Sequence, residues 1–174
     1  PKGALLALVE PSILGHEVHE TEFRRKVGFL PENPYFYDYL TGREILNFYA
    51  RLSGVSGESR ARRVDDLLER VSLGHAADAR LRTYSKGMTQ KLGIAACLLS
   101  GKALYVLDEP TAGLDPRARA LLKSELRALR ERGSTVFFTS HSLADVAELC
   151  DRMVVLHGGR LRFAGTPAEL NRRH

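Results

Sequence analysis

The hydrophobic and polar positions divide the chain into three zones. Over residues 1–40 the pattern is mixed. Ala4–Val9 reads as the end of a helix, Glu10-Pro11-Ser12 as a turn, and Lys26-Val27-Gly28-Phe29-Leu30 as a short strand stopped by Pro31. Over residues 41–100 the period is helical. Thr41-Gly42-Arg43-Glu44 is a capping box, in which a hydroxyl and a carboxylate satisfy each other's backbone N–H groups. Ile45, Leu46, Phe48, Tyr49 and Leu52 then follow at helical spacing up to Gly54. Val64, Leu67, Leu68 and Val71 predict a second amphipathic helix, and a third begins near Ser85 and carries Leu92, Ala95, Ala96 and Leu99.

Over residues 101–174 short apolar strands alternate with helices. Ala103–Leu107 has no polar position, the pattern of a strand buried on both faces of a parallel sheet. Asp115-Pro116 opens a helix that runs through Leu122, Leu126 and Leu129 to Gly133. Ser134–Thr139 is the next strand and Ser142–Cys150 the next helix. Met153–Leu156 and Leu161–Phe163 form a hairpin around Gly158-Gly159, and Thr166-Pro167-Ala168-Glu169 opens a last helix. Strand–helix alternation implies right-handed crossovers and a parallel sheet. The expected class is α/β with a helical insertion at about residues 41–100.

Composition narrows the function classes. With 174 residues, 44% hydrophobic and 27% charged, the chain is an ordinary globular domain, expected to be single over 1–174 and able to bury roughly 70% of its unfolded surface. Cys97 and Cys150 are too few for a disulfide scaffold and read as reduced core residues of a cytosolic protein. The longest apolar runs, Ala4–Val9 and Ile94–Leu99, have six residues each, far short of the roughly 20 a membrane helix needs. A net charge of +5 admits anionic partners and selects none of them. The first residue is Pro1 rather than Met, so the sequence is expected to be an excerpt of a longer protein or a product cut at its N-terminus.

The densest chemistry is Asp108-Glu109, which ends the apolar strand Ala103–Leu107. Ligands of open α/β sheets bind at the carboxyl ends of the strands, and adjacent residues there point different ways. One carboxylate can hold Mg²⁺ while the other orients or deprotonates a water. On the dipeptide alone, a strand running into an acidic turn explains the pair as well.

The surrounding residues change the balance. Asp108-Glu109-Pro110-Thr111-Ala112-Gly113-Leu114-Asp115-Pro116 closely resembles the Walker B motif and D-loop of ATP-binding cassette (ABC) ATPases. Tyr84-Ser85-Lys86-Gly87-Met88-Thr89-Gln90 resembles that family's signature motif, in the variant of exporters with separate membrane subunits. Thr139-Ser140-His141 resembles its switch histidine, and Phe29-Leu30-Pro31-Glu32-Asn33-Pro34 stands where its Q-loop belongs. The four motifs come in the family's order over residues about 27–165.

The resemblance implies a P-loop NTPase-like, mainly parallel sheet with a helical signature subdomain. It implies ATP and Mg²⁺ as ligands. Asp108 would organise the metal, with Glu32 as a further metal or water ligand. Glu109 would be the general base and His141 the γ-phosphate sensor. Ser85 and the N–H of Gly87, at a helix N-terminus suited to anions, would touch the nucleotide of an opposite domain. Asp115 would belong to the loop that crosses that dimer interface. The implied partners are a membrane permease subunit and a second ABC ATPase domain, with no nucleic acid, and the implied place is the cytoplasmic face of the cell membrane. The aromatic cluster Tyr35-Phe36-Tyr37-Asp38-Tyr39 lies where the family receives a helix of the membrane subunit; two of its four rings are expected to pack inside. The basic runs Arg60–Arg63 and Arg80–Arg82 read as solvated faces.

Three departures qualify the match. Glu32 stands where the family has Gln, and Met88 where the common signature has Gln. No G-x-x-x-x-G-K-[ST] phosphate loop is present, nor the aromatic residue that stacks on adenine, although Lys2-Gly3-Ala4-Leu5-Leu6 is similar to the edge of such a loop. The strand pair around Pro11–His16 is shorter than the family's. Either the loop belongs to a segment outside these residues or this is a degenerate copy. The chain as written is expected to be inactive by itself. A non-catalytic cassette, and a non-transport ABC protein acting on nucleic acid or ribosomes, are the competing readings.

Overall fold

The computed structural model describes residues 12–13, 15–17, 22–55 and 57–172. The expected helix end at Ala4–Val9, the phosphate-loop edge at Lys2–Leu6 and most of the Glu10-Pro11-Ser12 turn lie outside them. In chain order the elements are β1 (Ser12–Ile13), β2 (His16–Glu17), α1 (Glu22–Lys26), β3 (Val27–Leu30), α2 (Gly42–Leu52), α3 (Gly57–Arg70), α4 (Lys86–Cys97), β4 (Leu104–Leu107), α5 (Pro116–Glu131), β5 (Thr135–Phe138), α6 (Leu143–Leu149), β6 (Met153–His157), β7 (Arg160–Gly165) and α7 (Pro167–Asn171). The fold is α/β, as the sequence pattern implies. α1 and two short 3₁₀ turns, Gly74–Ala76 and Leu81–Thr83, are additions to the sequence reading.

β3, β4 and β5 form a three-stranded parallel sheet in that order, with Leu30 opposite Leu107 and Leu107 opposite Phe138. This register sets the C-terminal ends of all three strands side by side. β6 and β7 pair as a separate antiparallel hairpin. Gly158 and Gly159, with φ of +57° and +69°, make its two-residue turn, whose backbone L side chains rarely adopt.

Helix α4 packs on β3, and α2 and α3 pack on each other and on α4. Tyr105 and Leu107 of β4 join Leu30, Ile45, Leu46, Val64, Leu67, Leu68 and Leu92 in one core. The caps are those the sequence pattern implies: Thr41 and Glu44 bond each other's backbone, Ser85 caps α4, Asp115 caps α5, and Thr166 with Glu169 caps α7. Each satisfies N–H groups that the first helical turn leaves without partners.

Several expectations are corrected. β4 is not buried on both faces: Tyr105 and Leu107 are buried, while Leu104 and Val106 on the other face are only half-buried. Of the aromatic cluster only Phe36 packs against the core, edge-on to Tyr49, and Tyr35, Tyr37 and Tyr39 are exposed. The basic runs are not merely solvated. Arg63 donates to the carbonyls of Leu98 and Leu99, capping the C-terminal end of α4, and Arg80 bonds the Tyr39 carbonyl. Both cysteines are free. Burial pushes the Cys97 thiol up to about 12, but Cys150, at the end of α6, is only half-buried.

Candidate ATP site at the strand ends

β4 is the central strand, so the residues just beyond it are held from both sides. The Asp108 N–H donates to the Leu30 carbonyl at 2.8 Å, and the Thr139 N–H donates to the Leu107 carbonyl at 3.0 Å. Thr139 then binds both carboxylate residues: its hydroxyl donates to Asp108 Oδ1 at 2.5 Å and accepts the Glu109 N–H at 2.9 Å. Glu109 has φ of +44°, a left-handed backbone that costs a non-glycine residue about 1–3 kcal/mol and persists only where its surroundings impose it. The Ala112 N–H closes the turn on the Glu109 carbonyl at 2.9 Å.

This turn aims the Glu109 side chain toward the next strand end. His141 Nδ1 lies 2.9 Å from Glu109 Oε2, with the Glu109 side chain 20% exposed and that of His141 85% exposed. Oε2 is buried and accepts no hydrogen bond among the described residues, with the His141 ring as its near neighbour. Asp108, Glu109 and His141, separated by up to 33 positions in sequence, thus meet around Thr139.

A second cluster forms where α4 meets the segment after Glu109. Ser85 Oγ accepts the Met88 N–H at 3.2 Å as the helix cap. Gly87 lies so near the loop that a Cβ there would sit 3.1 Å from the Gly113 carbonyl oxygen, which is why this position takes no side chain easily. Gln90, buried, donates to the Pro110 carbonyl at 3.4 Å. Lys91 Nζ lies 2.9 Å from Asp115 Oδ2. Asp115 also accepts the Ala118 N–H, and that bond together with Lys91 holds its carboxyl below the usual carboxylate range. Met88, where the common signature has Gln, packs against the core instead.

Glu32 stays apart. It sits two residues beyond β3, exposed, and makes no side-chain hydrogen bond or ion pair among the described residues. Thr139, by contrast, received no role from the sequence. Its signal was the sheet register: with Leu107 opposite Phe138, the residue after each strand must also be neighbours.

The donors at the strand ends fit Mg²⁺. Asp108 and the Thr139 hydroxyl offer hard oxygens of the kind that Mg²⁺ takes from a protein. Mg²⁺ takes one or two carboxylates and completes its shell with water and substrate phosphates, so a sparse oxygen set is what it needs.

The chain is similar to known proteins over most of its length. The family described as "AAA domain, putative AbiEii toxin, Type IV TA system" matches residues 13–145. An uncharacterized ABC transporter ATP-binding protein of Synechocystis is 40% identical over 161 residues, covering 91% of this chain and 46% of that protein. The human phospholipid-transporting ATPase ABCA7 is 37% identical over 166 residues, covering 94% of this chain and 8% of that protein. A solved structure of the ATP-binding subunit of an ABC transporter superposes with a TM-score of 0.84 at 33% identity, covering 93% of this chain and 68% of that one. The chain spans about half the length of the bacterial relatives it matches. An AAA-type ATPase core, a parallel sheet with carboxylates at its central strand end, and this likeness over most of the chain place the protein in the family of ABC transporter ATP-binding domains.

Proposed function

We propose that the chain forms the hydrolytic half of an ATP site and, in its whole protein, energises a membrane permease, of the bacterial exporter kind that the signature residues Tyr84–Gln90 resemble. The observation that carries this reading is the half-buried Glu109 carboxylate, with no hydrogen bond at its buried Oε2, set beside His141 and next to Asp108 at the end of β4. A general base must present a free lone pair to the proton it takes, and Oε2 has one.

In this reading Glu109 takes a proton from the water that attacks the γ-phosphorus of ATP. The bond to the β–γ bridging oxygen breaks, giving ADP and inorganic phosphate. Asp108, oriented by Thr139, would hold Mg²⁺, which when bound neutralises charge on the phosphate oxygens. His141 stands where it can meet the γ-phosphate and register its loss. Ser85, Gly87 and Asp115 face the nucleotide of a second ATPase domain, and Glu32 adds a metal or water ligand. The 174 residues hold no phosphate loop, whose N–H groups and lysine position the nucleotide in phosphate-loop ATPases, so turnover requires that loop alongside these residues.

The route to the membrane is a protein contact. Among the described residues no helix is long and apolar enough to cross a bilayer. A cleft of about 850 Å³ next to Glu32, lined by Phe29, Pro34, Tyr35, Phe36 and Tyr49, is the surface we assign to the permease. Tyr35 is 86% exposed at its mouth, as a docking residue would be. Reversing the charge of Glu32 together with Tyr35→Ser should release the protein from the membrane fraction without unfolding it. Tight binding of the unaltered protein to protein-free liposomes would contradict this route.

The direct test of the site is Glu109→Gln in the protein bearing its phosphate loop. ATP hydrolysis should fall roughly 10²–10⁴-fold while ATP binding persists, leaving a closed, nucleotide-filled dimer. Unaltered turnover would remove Glu109 from the mechanism.

A further inference from the structure

We infer that Asp145 is a positioning residue for hydrolysis: it pins the segment after Glu109 to the helix after His141, and so fixes these two groups against each other. The inference rests on the reading of Glu109 as general base.

The buried polar side chains among the described residues are Gln90, Thr111 and Asp145, and all converge on one short segment. Gln90 holds the Pro110 carbonyl, and the Thr111 hydroxyl donates to Asp145 Oδ2 at 3.2 Å. Burying polar groups costs free energy unless they are bonded, so a segment that needed only packing would be held by apolar side chains. What directed bonds add is a fixed geometry.

Asp145 lies in the first turn of α6, four residues after His141, and is 2% exposed. Its N–H donates to Ser142 Oγ at 3.3 Å, which ties it to the start of the helix. Its Oδ1 faces Lys123 Nζ of α5 at 2.7 Å, and Lys123 also holds Glu148 at 2.6 Å. A buried carboxylate without such a cation would lose its charge and its grip. On the other side Thr111 stands two residues from Glu109, whose left-handed backbone needs restraint. Thr139 fixes the start of that turn through the Glu109 N–H, and Asp145 fixes its exit through Thr111. These two anchors hold the backbone on either side of Glu109, whose carboxylate lies beside His141.

Removing Asp145 outright also takes away one of the two carboxylates that hold Lys123, so the sharper variants are at Thr111. Thr111→Val keeps the shape and removes the hydroxyl; Thr111→Ser keeps the hydroxyl. In the protein bearing its phosphate loop, Thr111→Val should lower kcat for ATP hydrolysis about tenfold at unchanged KM, since small misplacements at a reacting centre cost one to two orders of magnitude. Thr111→Ser should restore most of it. In hydrogen–deuterium exchange the amides of Glu109 and Ala112 should lose protection in the Val variant while α2–α4 keep theirs. A kcat equal to the unsubstituted protein's, measured below the melting temperature, would overturn the inference. So would unchanged exchange at residues 109–112. If the unsubstituted protein hydrolysed no ATP, the general-base reading would fall, and the exchange comparison would still decide whether Asp145 holds the segment.

Discussion

The helical half and the strand-end half of this molecule spend their polar groups in opposite ways. In α2–α4, Leu46, Val64, Leu67, Leu92 and Ala95 are wholly buried, and the charges around them serve the packing. Arg63 caps α4, Arg43 pairs with Asp65 and Asp78, and Arg70 reaches Glu125 of α5. At the strand ends the backbone is bent into a left-handed turn, a buried carboxylate oxygen is left unbonded, and His141 stands in solvent. Stability alone would not choose the second arrangement. Local costs of this kind, over-determined by their surroundings, mark where a reactant is meant to complete the set.

Substitutions should separate the halves. Glu109→Gln, with its large loss of hydrolysis, should leave the denaturant midpoint nearly unchanged, because Gln keeps the shape of a half-buried side chain that packs into no core. A clear loss of stability would mean that Glu109 is part of the packing after all. Leu67→Ala should do the reverse. Its cavity should cost about 2–5 kcal/mol in urea unfolding, while ATP turnover per folded molecule stays as it was. Turnover lost in proportion to stability would blur the contrast.

A smaller effect concerns acid. Burial alone would push the Asp145 carboxyl up, but the bonds from Lys123 and Thr111 outweigh it and hold the group below the usual carboxylate range. The folded state therefore favours the ionised form. Its contribution is complete above the unfolded value of about 4 and is lost as pH falls through the lowered folded value, where protons bind the unfolded chain first. Thermal melts from about pH 6 down to about pH 2 should fall less steeply for Asp145→Asn than for the unsubstituted protein. Parallel curves would show that Asp145 is no better held folded than unfolded.

Much of this was readable from residues in order. The capping boxes at Thr41 and Thr166, the Asp115-Pro116 helix start and the Gly158-Gly159 turn each carry a local signal, and each element formed where its signal stands. The strand-end carboxylates were legible because an apolar strand can only deliver them to the sheet edge. What lay beyond reach depends on the third dimension. Thr139 matters through the register of two strands 31 residues apart, and Arg63 through a helix end 35 residues away. The exposure of Tyr35, Tyr37 and Tyr39 likewise could not be told from ring chemistry, since apolar rings of this kind pack inward as readily.

In the proposed reading these residues supply the hydrolytic side of an ATP site and need a phosphate-binding loop to work. It is tested most directly by measuring ATP hydrolysis of the 174-residue chain alone and of the same chain joined to a segment bearing that loop. The chain alone should show no turnover above background, joining should bring turnover, and Glu109→Gln should abolish it again. Robust hydrolysis by the chain alone would contradict the reading, and would show that Lys2 and its neighbours already form a working phosphate site.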